Sequence, residues 1–207
     1  MNSKSGLPED AARSRTETSD EAVVLVDADD RSIGTIAKLE AHRRGLLHRA
    51  ISVVVRDSGN RLLLQQRAPN KYHSGGLWTN TCCSHPRPGE AVADAAARRL
   101  AEEMGFACSL SFLFQVRYCS PVSNGLVENE LVHVFGGQFD GAPDPDPQEV
   151  MAWCWKDRSE LAVDLDRQPA NYTVWFRKYC REHWEALSEN SGSPPTDVPD
   201  WLPERFG

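Results

Sequence analysis

The run AISVVVR, Ala50 to Arg56, is β-branched and apolar on successive residues, which reads as a buried strand. The DSGN that follows at 57–60 has hairpin-turn chemistry, and RLLLQQR, 61–67, returns as the partner strand. Further strands are expected over 22–27 (AVVLVD), 111–117, 128–139 and 149–155, with 33–36 pairing back on the first. Two helices join them. One runs from Glu90 to Met104 with Gly105 as its stop and an apolar stripe of Ala93, Ala96, Ala97, Leu100 and Met104. The other spans 169–187 with Tyr172, Phe176, Tyr179, Cys180 and Leu187 on one face. Hairpins mixed with a few helices give a single α/β (α+β) sandwich domain.

That domain is expected over 22–187. The flanks, 1–21 and 188–207, are polar, charged or rich in Pro and Ser, and read as flexible tails. The net charge of −7 argues against general nucleic-acid binding. No apolar run approaches 18 residues and the N-terminus lacks a hydrophobic leader, so a cytoplasmic chain with free thiols among its six cysteines is expected. Neither a monomer nor a dimer is singled out.

Three groups of residues carry chemistry. On the first helix Arg99 and Glu103 are four apart, as are Arg98 and Glu102; on a solvated face these are weak surface pairs, placed away from the apolar stripe. In GLVENELVHVF, 125–135, Glu128 and Glu130 project from one face of a strand about 7 Å apart, and Val132 and Val134 continue that face. Two carboxylates at the head of a buried face call for a cation. His42, His48 and His85 stand at segment ends where strands converge, and imidazole with carboxylate suits zinc, manganese or iron better than calcium. Beside His85 lie Cys82 and Cys83 in the bend TNTCCSHPRPGE, 79–90. Cys82 is expected to be structural, and Cys83 to sit where a thiol acquires function.

Taken together these residues resemble a known family. SHPRPGEAVADAAARRLAEEMGF, 84–106, is similar to a Nudix box in which Ser84 stands at the first Gly, Glu90 and Arg98 are kept, Arg99 replaces a Glu, and Leu100, Glu102, Glu103, Gly105 and Phe106 follow the pattern. LWTNTCCSHP, GLVENE and AHRRGLLH then resemble the type I isopentenyl diphosphate isomerases, a Nudix-fold branch, over about 23–187. The resemblance implies a Nudix-like mixed-sheet sandwich with flanking helices. It implies Cys83, Glu130 and Tyr118 as catalytic residues, with Glu130 and Cys83 adding and removing protons at an alkene. It implies a divalent metal, manganese or zinc, held by His42, His48, His85, Glu128 and Glu130. A magnesium ion bridging the substrate diphosphate would use Glu103. Lys38, Arg67, Lys71 and Arg99 would bind the diphosphate, and Trp175 the hydrocarbon end. Departures from the family pattern are a His42–His48 interval one residue shorter, Ser84 for Gly, and Ser74-Gly75-Gly76 for Trp-Pro-Gly. The rival readings are a Nudix hydrolase of a diphosphate-containing substrate, which would want Glu at 99, and a non-catalytic metal-binding module.

Overall fold

A computed structural model describes residues 21–187. The expected tails lie outside the described residues, except Glu21, whose carbonyl accepts the Lys38 N–H at 2.7 Å. Nine strands form one branched mixed sheet. They are β1 (Ala22–Val26), β2 (Ser32–Ala37), β3 (His48–Arg56), β4 (Leu62–Arg67), β5 (Trp78–Thr79), β6 (Cys82–Ser84), β7 (Leu110–Pro121), β8 (Val127–Gln138) and β9 (Val150–Lys156). Four helices accompany them: α1 (Lys38–Arg44), α2 (Val92–Met104), α3 (Arg158–Arg167) and α4 (Val174–Glu182).

The hairpin turn at 57–60 forms as read, with Asn60 at φ 63 and the Asp57 carboxylate accepting the Arg61 N–H at 2.8 Å. The strands it joins then part. β3 and β4 pair only at Arg56 and Leu62. Beyond that point β3 takes β6 antiparallel on one side and β8 parallel on the other, while β4 pairs with β5 and β9. Almost every residue of β3 is buried, so its side chains reach two cores. Ile51, Val53 and Val55 point to α2, where Ala95, Ala96, Leu100 and Met104 cover them. Ala50 and Val54 point the other way, to Leu161, Phe176 and Tyr179 of α3 and α4.

Three expectations are corrected. Ala97 is exposed and Ala95 takes its place in the buried stripe of α2, which begins at Val92 rather than Glu90. Arg99 and Glu103 are not on the solvated face; both are buried. The single helix over 169–187 is instead α4 preceded by a 3-10 turn at Pro169–Asn171, and α3 is a separate helix that its weak amphipathic pattern concealed. Among the described residues no helix is long and apolar enough to cross a membrane.

Candidate active site and metal centre

β3 organises the site. Its register sets His48 beside Glu130 of β8 and Ser52 beside Cys83 of β6. β7 sets Tyr118 beside Glu130 from the other side. Glu128 and Glu130 share the face of Val132 and Val134, as the strand period requires, and all four are buried. His42 arrives from α1. The helix is stopped by Gly45 at φ 60, where the Leu46 N–H returns to the Ala41 carbonyl at 3.0 Å. A Cβ there would stand 3.3 Å from Val127, so glycine serves both the left-handed turn and the close approach. This tight exit brings the His42 and His48 rings to 4.8 Å between centroids despite their short interval.

The five residues expected to hold a metal fall into two groups that share His42. His42, His48, His85 and Glu130 offer donor atoms all within 4.8 Å of one another, and His42 with Glu128 forms a second such group. His85 Nε2 lies 2.9 Å from Glu130 Oε1, and His48 Nε2 lies 3.5 Å from the same oxygen. His42 Nε2 is 3.5 Å from Glu128 Oε1. The Nδ1–H groups of His42 and His48 donate outward to the Lys38 and Leu46 carbonyls at 2.7 and 2.8 Å, which turns both Nε2 lone pairs inward. The buried Nε2 of His48 has no hydrogen-bond partner. Inward lone pairs facing two buried carboxylates are donors that suit a divalent metal ion.

The second group contains a residue that the sequence reading passed over. His73, in the loop between β4 and β5, is buried with Nε2 2.7 Å from Glu128 Oε1. Its signal was the Lys71-Tyr72-His73-Ser74 run, polar and unpatterned, which carries no periodicity from which to infer an inward side chain.

Burial would raise the carboxyl pKa of both glutamates. The hydrogen bonds and charges of His42 and His73 reverse this for Glu128, leaving it well below the usual range. Glu130 meets burial and the like charge of Glu128, yet His48 and His85 hold it below its ordinary value. Burial brings His85 down to about 4 against the pull of Glu130, so its ring is neutral and fit to ligate near neutral pH. The Tyr118 hydroxyl donates to Glu130 Oε2 at 2.7 Å and to Glu128 Oε2 at 3.4 Å. Burial, followed by the two carboxylates, keeps that phenol well above its ordinary value.

Cys83 and Cys82 separate as the strand alternation demands. Cys82 packs against α2 and Cys83 against the α4 core. Cys83 Sγ lies 3.2 Å from Ser52 Oγ and donates to Asn80 Oδ1 at 3.1 Å, and burial pushes the thiol up to about 12. Cys83, Glu130, Tyr118, Arg67 and Trp175 line one cavity of about 30 Å³. That is room for about one water molecule. The Arg67 guanidinium lies 5.3 Å from the centre of the Trp175 ring.

The remaining cations gather nearby. A recess of about 240 Å³ is lined by Lys38, Ser84, His85, Arg87, Arg98 and Arg99. Ser84 and His85 line both spaces. Arg87 and Arg98 are cations that the sequence reading did not place there. Arg99 bonds Glu102 at 2.7 Å and Glu103 at 2.8 Å, and reaches Glu149 at 3.3 Å. Lys71 pairs with the same Glu149, and Gln65 donates to Glu103 at 3.1 Å. A larger groove of about 840 Å³ lies outside Tyr118, between β7, α3 and α4. It shares Tyr118 with the smaller cavity but holds neither Cys83 nor any of the metal donors.

A NUDIX domain model matches residues 46–178. The isopentenyl-diphosphate Delta-isomerase of Burkholderia multivorans is 55% identical over 157 residues, 76% of this chain and 89% of that protein. The isomerase of the same name from Pectobacterium atrosepticum is 47% identical over 173 residues, 82% of this chain and 97% of that one. A solved structure from Deinococcus radiodurans superposes with a TM-score of 0.65 at 21% identity, covering 78% of this chain and 98% of that one, which is a likeness of fold.

Proposed function

The chain belongs to the NUDIX domain family and to its isopentenyl-diphosphate Delta-isomerases, and from that premise we propose how its residues divide the work. The reaction is the interconversion of isopentenyl and dimethylallyl diphosphate. The terminal methylene of the alkene gains a proton, the neighbouring carbon becomes a tertiary cation, and the carbon on the diphosphate side loses a proton. No atom leaves, and the diphosphate stays intact.

Such a reaction needs a donor, an acceptor and the exclusion of water. Cys83 and Glu130 are the pair. The observation that carries this reading is that both line one small cavity with the Trp175 ring, from strands on either side of β3. Burial pushes the Cys83 thiol up to about 12, while His48 and His85 hold the Glu130 carboxyl below its ordinary value. One of the two adds the proton and the other removes it from the opposite side, with the roles exchanged in the reverse direction. Tyr118 donates to Glu130 and fixes which oxygen faces the substrate. Trp175 offers its π face to the cation in a desolvated setting. At about 30 Å³ the cavity is narrow, and a five-carbon chain would widen it on entering.

Lys38, Arg67, Lys71 and Arg99 take the diphosphate, with Lys38 and Arg99 lining the recess beside His85. Glu103 would hold a magnesium ion against the diphosphate, and His42, His48, His85, Glu128 and Glu130 would hold a second divalent ion, manganese or zinc. When bound, these ions neutralise the diphosphate and fix the buried carboxylates. The site is expected to work in the cytoplasm on this small diphosphate.

The test is isopentenyl diphosphate in deuterated water with magnesium and manganese, followed by NMR. Deuterium is expected in the methyl groups of dimethylallyl diphosphate, with no release of phosphate, and none of this in Cys83→Ala or Glu130→Gln. Phosphate release without exchange would establish a hydrolase instead. That outcome is disfavoured by Arg99, which occupies with positive charge a position where a Nudix hydrolase supplies a carboxylate.

A further inference from the structure

His73 lies outside the ligand set that the family resemblance implies, yet it is built like a ligand. Its ring is 98% buried. Its Nδ1 hydrogen-bonds outward to Ser74 Oγ at 3.2 Å, the same arrangement by which His42 and His48 turn Nε2 inward. Its Nε2 stands 2.7 Å from Glu128 Oε1, and in the absence of an ion the two atoms interact directly. Donors about 2.0–2.2 Å from one ion lie about 3 Å apart when adjacent and about 4 Å apart when opposite. The contacts of 2.7, 2.9 and 3.5 Å around Glu128 and Glu130 match adjacent donors slightly drawn together or apart, in two groups that share His42 and that a common ion would draw together.

The backbone is fixed to keep the ring there. Ser74 holds a left-handed φ of 52, which favours glycine, and its N–H is tied to Ser123 Oγ at 3.0 Å. Arg67 Nη2 donates to the His73 carbonyl at 3.2 Å. A Cβ on the neighbouring Gly75 would meet the Pro69 carbonyl oxygen at 2.6 Å, so the loop is closed tightly on itself. A loop held in place from three directions, with a buried imidazole at its tip, is the support that a metal ligand requires.

We propose that His73 is an inner-sphere ligand of the divalent ion, completing a shell of four imidazoles and two carboxylates with His42, His48, His85, Glu128 and Glu130. Such a shell is closed. It has no open position for water or substrate, so the ion acts by holding Glu128 and Glu130 rather than by activating a bound molecule. A nitrogen-rich set also selects borderline metals over magnesium or calcium. The proposal rests on the metal-centre reading above and goes beyond it in ligand and in role.

The test uses the metal-free full chain titrated with Co²⁺, read by calorimetry and by the ligand-field spectrum, for wild type, His73→Ala and His73→Gln. Metal-free thermal transitions of the three proteins establish that each is folded. The wild type is expected to give the weak bands of six-coordinate cobalt. Both variants should bind on the order of 100-fold more weakly or worse, with bands that intensify as the coordination number falls. Affinity within about threefold and unchanged bands would overturn the proposal. Weaker binding with unchanged bands would overturn it too, since His73 would then only position Glu128. If the wild type itself fails to bind Co²⁺, the metal centre as a whole is refuted, a result distinct from the loss of His73 alone.

Discussion

Arg99→Met is the most informative single change. The guanidinium is buried and contacts three carboxylates: Glu102, Glu103 and Glu149 at 2.7, 2.8 and 3.3 Å. Glu102 is exposed and rehydrates at little cost, so it drops out of the sum. Glu103 and Glu149 are 3% and 5% exposed and cannot. Glu149 keeps Lys71, so one buried carboxylate, Glu103, loses its cation. Breaking a buried pair on one side costs about 3–5 kcal/mol. At about 2–4 °C per kcal/mol for a domain of this size, the melting temperature should fall by roughly 6–20 °C. Urea denaturation with and without magnesium measures it. Because magnesium is expected to bind at Glu103, it should recover part of the loss, and Glu103→Gln in the same chain should recover it without magnesium. A loss under about 1 kcal/mol in magnesium-free buffer would refute the reasoning, for it would mean that Arg99 is not what offsets the burial of the Glu103 side chain.

Cys83 should resist alkylation. With its pKa at about 12 against 9.0 for an ordinary thiol, the thiolate at pH 8 is about a thousandfold scarcer, so mass spectrometry after iodoacetamide should find the exposed Cys119 labelled first. The same shift gives a sign for stability. The native thiol keeps its proton between pH 9 and 12 where the unfolded chain loses it, so stability falls as pH rises through that window, and less so in Cys83→Ala. Tyr118→Phe removes a hydrogen bond to a carboxylate worth about 1.5–3 kcal/mol, and turnover should drop roughly 10- to 150-fold with KM little changed, in steady-state assays. Gly105→Ala forces an alanine to φ 73 with its Cβ 2.1 Å from the Asp144 carbonyl oxygen, which should cost about 2–5 kcal/mol in denaturant titration. Removing divalent metal with a chelator should lower the melting temperature, and manganese or zinc should restore it in proportion to the logarithm of its concentration.

The sequence made the site more legible than the sheet around it. Glu128 and Glu130 announced a buried acidic face through the two-residue strand period, and β8 presents them as that period requires. Arg99 and Glu103 were legible as an i, i+4 pair, but their burial was not. Which side of α2 is covered depends on Gln65 of β4 and Glu149 of the turn before β9, residues far along the chain that no local pattern connects. His73 was missed for a related reason. A loop held by turns and side-chain bonds has no period, and only its fold shows which way a ring points. The hairpin at 57–60 was read correctly at its turn, yet its strands diverge because each finds better partners among strands far along the chain.

That divergence has a consequence for how the molecule assembles. His48 of β3 and Glu130 of β8 are neighbours in a parallel ladder although about 80 residues separate them along the chain. Closing so long a loop costs entropy before any contact repays it, and pairings of this kind form slowly. His42, His48, His85 and Glu130 therefore meet only when β3 has acquired both of its neighbours. In a refolding experiment, backbone signals from α2 and from the β7–β8 hairpin should rise first. The capacity to capture a divalent ion should appear last, as a clock for the final step of folding.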